Sequence, residues 1–145
     1  MKLVVDASAL VAEILRQRGR VLLKDKRLEL YMASETWSET SHELPKRVYS
    51  FANYRGLSDD AAEALLAKSL RIIGRSIRVV HESLYADAKE VAEGRVPQDL
   101  NDWPSIALAL TIDAGIWTEG RDFFGCGVAT WHTPVLQHYI GTETA

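Results

Sequence analysis

The chain has 145 residues, the length of one domain, and we take residues 1–145 as a single domain. Apolar residues make up 47% and charged residues 26%, which excludes a disordered chain. The net charge of -3 argues against a protein that coats nucleic acid. Cys126 is alone, so an intrachain disulfide is excluded and a cytoplasmic location is favoured. No apolar run approaches the roughly 18 residues of a membrane span, so we expect no membrane partner.

The predicted elements alternate between strand and helix along the chain. The apolar run at residues 3–5 reads as a strand buried on both faces, which is typical of a parallel sheet. Further strands are predicted at residues 28–33, 77–80, 116–118 and 128–131. Helices are predicted after Ser8 and over residues 35–54, 61–73, 82–92 and 106–112. This alternation predicts an α/β fold with three layers, α/β/α, around a central, mainly parallel five-stranded sheet.

Several local signals refine these elements. Ser8 and Ser58 are expected to cap the helices that follow them. Pro45 should bend or break the helix over residues 35–54. Pro104 fits the first turn of a buried helix, and Gly115 sits where a helix C-terminal cap is expected.

Carboxylates occur in four separate segments that such a sheet brings to one end. Ligands of open parallel sheets bind outside the carboxyl ends of the strands, so acidic residues near those ends are candidates for a site. Asp6 directly follows the first strand, and Thr118 closes the fourth. The other candidates lie on the helix after the second strand (Glu39 and Glu43), before the buried helix (Asp99 and Asp102) and after the fourth strand (Glu119 and Asp122).

Clustered carboxylates repel one another, and a hard divalent cation relieves the repulsion. Oxygen ligands suit Mg²⁺ and Mn²⁺, which also lower the pKa of water and stabilise charge on a phosphodiester. No zinc spacing of His and Cys, no phosphate-binding loop and no dinucleotide fingerprint is present. Taken singly, Asp6 and Asp102 also read as helix caps, Glu39 and Glu43 as a solvated face, and Asp122 as a turn residue.

Four segments, in order, resemble the motifs of PIN-domain nucleases. They are VVDASAL at residues 4–10, ETSHEL at 39–44, DWPSIALA at 102–109 and IWTEGRDF at 116–123. The order, chain length and layout are similar to the VapC-like toxins of type II toxin–antitoxin modules. The resemblance covers nearly the whole chain.

The resemblance implies a Mg²⁺- or Mn²⁺-dependent ribonuclease that cleaves RNA by in-line attack of water. Asp6, Glu39 and Asp102 would be metal ligands and, with Asp122, the catalytic carboxylates, while Ser8 and Thr118 would steady the site by hydrogen bonds. It also implies a homodimer inhibited by a small antitoxin protein. Glu43, Asp99 and Glu119 remain alternates for their neighbours.

Gly120 is a departure from the family pattern, because the family usually has its fourth acidic residue at this place. If the chain stays extended, Asp122 shares a side with Thr118 and Glu119 points away. Asp122 then partly replaces the missing carboxylate, or the site is impaired. The alternative function is therefore a PIN-fold module that binds RNA or protein with a degraded active site.

Basic residues flank the predicted acidic site. They read either as a solvated face or as contacts to RNA phosphates. The candidates for RNA binding are Arg16, Arg18, Arg20, Lys46 and Arg47.

Overall fold

The sheet has five strands, all parallel, in the order β3-β2-β1-β4-β5. The computed structural model describes the backbone of residues 1–144 and the side chains of residues 1–141. The strands are β1 (Lys2–Val5), β2 (Glu29–Ala33), β3 (Ile77–Val80), β4 (Gly115–Trp117) and β5 (Thr130–Trp131). In register, Leu3 pairs with Leu30 of β2, and Val5 pairs with Trp117 of β4. This confirms the predicted α/β fold with a parallel sheet.

Helices cover both faces of the sheet and give the predicted three layers. They are α1 (Ala7–Glu13), α2 (Gln17–Leu23), α3 (Ser34–Tyr54), α4 (Asp59–Ser76), α5 (Lys89–Arg95), α6 (Trp103–Ile112) and α7 (Thr133–Thr144). One core packs Leu3 and Val5 of β1 against α1 to α4 and α7. The other core packs Val4 against α5 and α6. Leu3, Val4 and Val5 are fully buried, as a strand covered on both faces requires.

Pro45 lies inside α3 without ending it, contrary to the sequence expectation. The face formed by Thr40, Leu44, Val48 and Ala52 is buried along the whole helix. Continuous burial at this spacing outweighs the backbone hydrogen bond that proline removes, which costs about 3 kcal/mol in an unsupported helix.

Other boundaries also differ from the sequence expectation. The left-handed residue that ends α6 is Asp113, with φ of 55°, rather than Gly115, which lies in β4. Glycine is instead favoured at position 115 because space is limited there: a Cβ would lie 3.0 Å from the Trp131 indole nitrogen. The stretch expected as a helix over 82–92 forms two 3-10 turns, Glu82–Leu84 and Ala86–Ala88, followed by α5.

The capping predictions for Ser58 and Ser8 have different outcomes. Ser58 caps α4, because its side chain accepts a hydrogen bond from the Ala61 amide at 3.1 Å. The cap position of α1 is Asp6, and no side chain caps that helix. The Ser8 hydroxyl is therefore available for contacts elsewhere.

Helices α1 and α2 form a tight hairpin around a buried acid. The Glu13 side chain is 1% exposed and accepts two hydrogen bonds from Arg18, at 3.1 and 2.8 Å. Arg16 adds a longer contact at 3.6 Å. At position 19, a Cβ would clash with the Glu13 carbonyl oxygen and side chain, so glycine is what lets the two helices approach.

The order of the strands creates one switch point. Connections from β1 lead outward to β2 and β3, whereas β4 and β5 lie on the other side of β1. A crevice forms outside the carboxyl ends of β1 and β4, which is where ligands bind in open parallel sheets. Asp6 follows β1 and Thr118 follows β4, so both lie at this crevice.

Candidate active site

Asp6 is held at the end of β1 by a small network of hydroxyls. Its Oδ2 accepts hydrogen bonds from Ser8 Oγ at 2.6 Å and from Thr118 Oγ1 at 3.1 Å. Those two hydroxyl oxygens are themselves 3.2 Å apart. The Glu119 amide donates to Ser8 Oγ, and the Gly120 amide donates to Thr118 Oγ1. The orientation of the Asp6 carboxylate is therefore fixed from two directions.

Asp102 lies at the beginning of α6 and its environment disfavours charge. Burial raises the pKa of Asp102 to about 6, and neighbouring negative charges add to the effect. Those charges belong to Asp99, Asp6, Asp122 and Glu39. The Asp102 side chain does not cap α6, and its buried Oδ2 has no hydrogen-bond partner among the described residues. A buried oxygen without a donor is costly, so this atom is suited to a ligand from outside the chain.

Carboxylates from four segments thus act on one another at this end of the sheet, as the sequence predicted. Among the side chains of residues 1–141, no three from Asp, Glu, His or Cys stand close enough to hold a metal ion as they are. Like charges hold such groups apart unless a cation lies between them. Their donors are all carboxylate oxygens, and one of these is buried and unpartnered. The residues therefore fit a hard divalent cation such as Mg²⁺ or Mn²⁺.

The structure distinguishes the alternates within each segment. On α3, the charge of Glu39 acts on Asp102, whereas Glu43 forms an exposed ion pair with Lys46 at 3.5 Å. Before α6, Asp99 Oδ1 accepts a hydrogen bond from the Asn101 amide at 3.0 Å and so caps a 3-10 turn. Among the described residues, no cation or amide donor contacts the carboxylates of Glu39 and Asp102, unlike those of Glu43 and Asp99.

After β4, Glu119 turns away from the acidic cluster. Its carboxylate accepts hydrogen bonds from the amide and the hydroxyl of Thr133, at the beginning of α7. The Trp117 indole also donates to the Thr133 hydroxyl, at 3.0 Å. Asp122 is exposed, and its charge acts on Asp102. Asp122 is therefore the acid of this loop that belongs to the cluster.

The loop between β4 and β5 is fastened to the segment before α6. Gln98 Nε2 donates to the Asp122 carbonyl at 2.7 Å, and Arg95 Nη1 donates to the Cys126 carbonyl at 3.0 Å. Gly127 has a positive φ of 84°, which favours glycine, and a Cβ there would lie 2.6 Å from that guanidinium. At Gly120, by contrast, a Cβ would meet only Thr118 Oγ1 at 3.7 Å, which is an ordinary contact.

Two further acids border the cluster, and the sequence analysis missed both. Burial raises the pKa of Glu35, and a hydrogen bond with Glu82 and the charges of Glu82 and Glu39 raise it further, whereas the charge of Lys89 lowers it. Glu35 precedes Glu39 by one helical turn, the same spacing that drew attention to Glu39 and Glu43. Glu82 follows β3, so its position after a strand was the available signal.

The candidate RNA-binding residues have different surroundings. Arg18 is engaged by buried Glu13, and Arg20 Nη1 donates to the Ile14 carbonyl at 3.1 Å. Arg16 and Arg47 line a groove between α1 and α3, together with Phe51. Arg18 and Arg20 therefore have structural contacts that a nucleic acid would have to replace.

Comparisons with known proteins agree with this architecture. A sequence model of the PIN domain matches residues 4–141. The crystal structure of PAE2754 from Pyrobaculum aerophilum is similar in fold, with a TM-score of 0.63 at 20% identity over 98% of this chain and 90% of that one. A comparison with curated proteins gave no significant match. None of the described helices is long and apolar enough to cross a membrane. The chain therefore belongs to the PIN domain family, whose members are generally nucleases.

Proposed function

We propose that this protein is a ribonuclease that requires Mg²⁺ or Mn²⁺. The observation that carries the proposal is Asp102, whose buried Oδ2 lacks a donor while four other carboxylates raise the pKa of the group. A protein gains nothing structural from such an arrangement, since each charge destabilises the next. A bound divalent cation makes the same arrangement favourable.

The residues that would hold the ion are Asp6, Glu39 and Asp102, with Asp122 nearby. When bound, the ion supplies charge neutralisation and stabilises the developing charge on the phosphodiester. Ser8 and Thr118 orient Asp6 through their hydroxyls, which preserves ligand geometry. Partial burial of Asp102 keeps water from competing for its oxygens.

An RNA cleavage assay tests this proposal. Purified protein is incubated with mixed cellular RNA and Mn²⁺, beside Asp6→Asn and Asp102→Asn. We expect each variant to lose more than about 100-fold in cleavage rate, since a neutral amide is a poor ligand for a hard cation. The matched control is Asp60→Asn in the exposed first turn of α4. Cleavage at the full rate by Asp6→Asn, or undiminished cleavage in EDTA, would overturn the proposal.

We also propose a biological role as the cytoplasmic toxin of a toxin–antitoxin module, acting as a homodimer and inhibited by a cognate antitoxin. The four motifs in their family order and the chain length support this role. Light scattering tests the dimer. A short upstream reading frame whose product co-purifies with the protein and suppresses its cleavage of RNA would support the toxin role, and a nuclease without such a frame would contradict it.

Gly120 favours a second candidate, a PIN-fold module that binds RNA or protein with a degraded site. Space at Gly120 is open, so Gly120→Asp is expected to fold and to restore the usual fourth acid. The test compares RNA cleavage by wild type and Gly120→Asp in Mn²⁺. An inert wild type activated by the substitution would establish the degraded module, whereas equal cleavage would establish an active enzyme.

A further inference from the structure

Lys89 is a cation held beside the acidic cluster without an ion pair. Its Nζ lies 4.9 Å from the centroid of the Trp103 ring, over its face. Among the described residues, no carboxylate lies within ion-pair distance of this ammonium group. Trp103 directly follows Asp102 in the chain, so the ring under the lysine is attached to the backbone next to the candidate metal ligand.

The ring beneath Lys89 is rigid. Trp103 is 7% exposed and packs against the fully buried Tyr85, with ring centroids 5.7 Å apart. The Tyr85 hydroxyl lies 3.3 Å from Ser34 Oγ, at the beginning of the helix that carries Glu35. This aromatic shelf, formed by Trp103 and Tyr85, fixes where the lysine stem lies while its ammonium group stays at the surface.

Electrostatics places the ammonium group at the edge of the cluster. The charge of Lys89 lowers the pKa of Glu35, and the charge of Glu39 raises it. The charge of Lys89 thus reaches Glu35, one helical turn from Glu39 on α3, although Lys89 is not among the charges that act on Asp102. Lys89 is the first residue of α5, the helix end at which a cation gains nothing from the helix dipole. Its position is therefore not explained by the stability of that helix.

We infer that Lys89 binds a backbone phosphate of the RNA strand that enters the acidic site, with the Trp103 ring holding the ammonium group in place. This inference rests on the proposed ribonuclease function. A nucleic acid is repelled by a bare cluster of carboxylates, so a cation at its edge supplies the contact that brings a phosphate close. The acidic site would contact the scissile phosphate, and Lys89 would contact another phosphate of the strand. Its role is therefore to position the RNA.

The test measures RNA binding by Lys89→Met and Lys89→Arg. Methionine keeps the length of the stem over Trp103 and removes the charge, whereas arginine keeps both the charge and the ring contact. The matched control is Lys68→Met, on the exposed face of α4. The probe is a fluorescein-labelled, single-stranded RNA of randomised sequence, measured in the Asp6→Asn background so that it is not cleaved, over a range of salt concentrations.

We expect Lys89→Met to weaken binding about fivefold at low salt and to flatten the slope of log K against log salt by about 0.7, the value for one phosphate contact. Without the Asp6→Asn change, KM should rise by a similar factor while kcat stays within about twofold. Lys89→Arg should restore both. A structural role alone would lower thermal stability without changing the salt slope.

Each contrary result has a distinct meaning. RNA binding by the parent protein together with an unchanged slope in Lys89→Met would overturn the inference and leave the ribonuclease intact. An equal change in Lys68→Met would also overturn it, by showing a general effect of net charge. If the parent protein neither binds nor cleaves RNA, the proposed function falls, and the inference falls with it.

Discussion

Two carboxylates of the described residues, one buried and one half-buried, have opposite surroundings. Glu13, between α1 and α2, is almost fully buried and meets the Arg18 guanidinium through two hydrogen bonds. Asp102, at the crevice, is partly buried and has an oxygen with no donor among the described residues. Glu13, which stabilises the fold, is paired with a cation of the same chain. Asp102, by contrast, has no such partner among the described residues, and four other carboxylates act on it.

The largest expected effect concerns the surroundings of Glu13, the carboxylate that is paired with Arg18. Gly19→Ala places a methyl group against Glu13 and forces α1 and α2 apart, so we expect a loss of about 3 kcal/mol in the free energy of unfolding. Gly74→Ala, in the last turn of α4 with open space around it, is the control and should cost nothing or stabilise by up to about 0.5 kcal/mol. Urea denaturation measures both. Equal effects at the two glycines would show that the hairpin is not tightly packed.

Divalent cations should stabilise the protein by binding at Asp102. At a free Mn²⁺ concentration of about 100 times its dissociation constant, wild type should gain about 2.7 kcal/mol, since binding to the native state alone stabilises it. Asp102→Asn should lose most of this gain, whereas Glu13→Gln should keep it. Thermal unfolding with and without Mn²⁺ tests this without any assay of activity. A gain retained in Asp102→Asn would place the cation elsewhere.

Without metal, removing the Asp102 charge should stabilise the protein. The pKa of Asp102 is about 6 in the folded chain and 3.8 ordinarily, so the native state binds more protons between these values. Wild-type stability therefore falls as pH rises from about 4 to 6 and stays lower above that range. We expect Asp102→Asn to be about 1–2 kcal/mol more stable at pH 7.5 and to show little advantage near pH 4. Asp60→Asn is the control, and a pH-independent difference in urea denaturation would contradict this explanation.

The smallest expected effect concerns Glu119, a carboxylate that accepts hydrogen bonds from Thr133 of the same chain. Glu119→Gln keeps one acceptor for Thr133 but removes the negative charge at the beginning of α7, and should cost about 1 kcal/mol. Glu63→Gln, exposed on α4, should cost almost nothing. Because Glu119 points away from the cluster, its substitution should leave Mn²⁺ stabilisation unchanged. Loss of that stabilisation would place the Glu119 carboxylate at the site.

The sequence predicted the strands well where they are short apolar runs, most clearly β1, which is buried on both faces, whereas β3 and β5 are partly exposed. Placing Asp6 and Thr118 at one crevice required only the parallel order of β1 and β4. The pairing of Glu13 with Arg18 was not predictable, since it depends on the close approach of α1 and α2 that Gly19 permits. Glu82 was missed because the helix expected around it is replaced by 3-10 turns.

Boundaries also failed where tertiary contacts overrode local preference. Pro45 was expected to bend or break α3, and the helix is not broken, because a buried face continues past Pro45. Gly115 carried the usual signal of a helix end, yet its lack of a side chain serves the packing of β4 against Trp131. In both cases the residue was identified in the sequence as structurally significant, but the packing around it determined its structural role.

The two hydrogen bonds that fasten the β4–β5 loop have a mechanical consequence. Gln98 and Arg95 tie that loop to the end of α5 and the residues that follow it, so Asp122 and Lys89 are carried by parts of one connected body. Displacement of Asp122 by a ligand would therefore be transmitted to α5 through these hydrogen bonds. The acid and the base would then move together with α5, as one body rather than as a flexible loop.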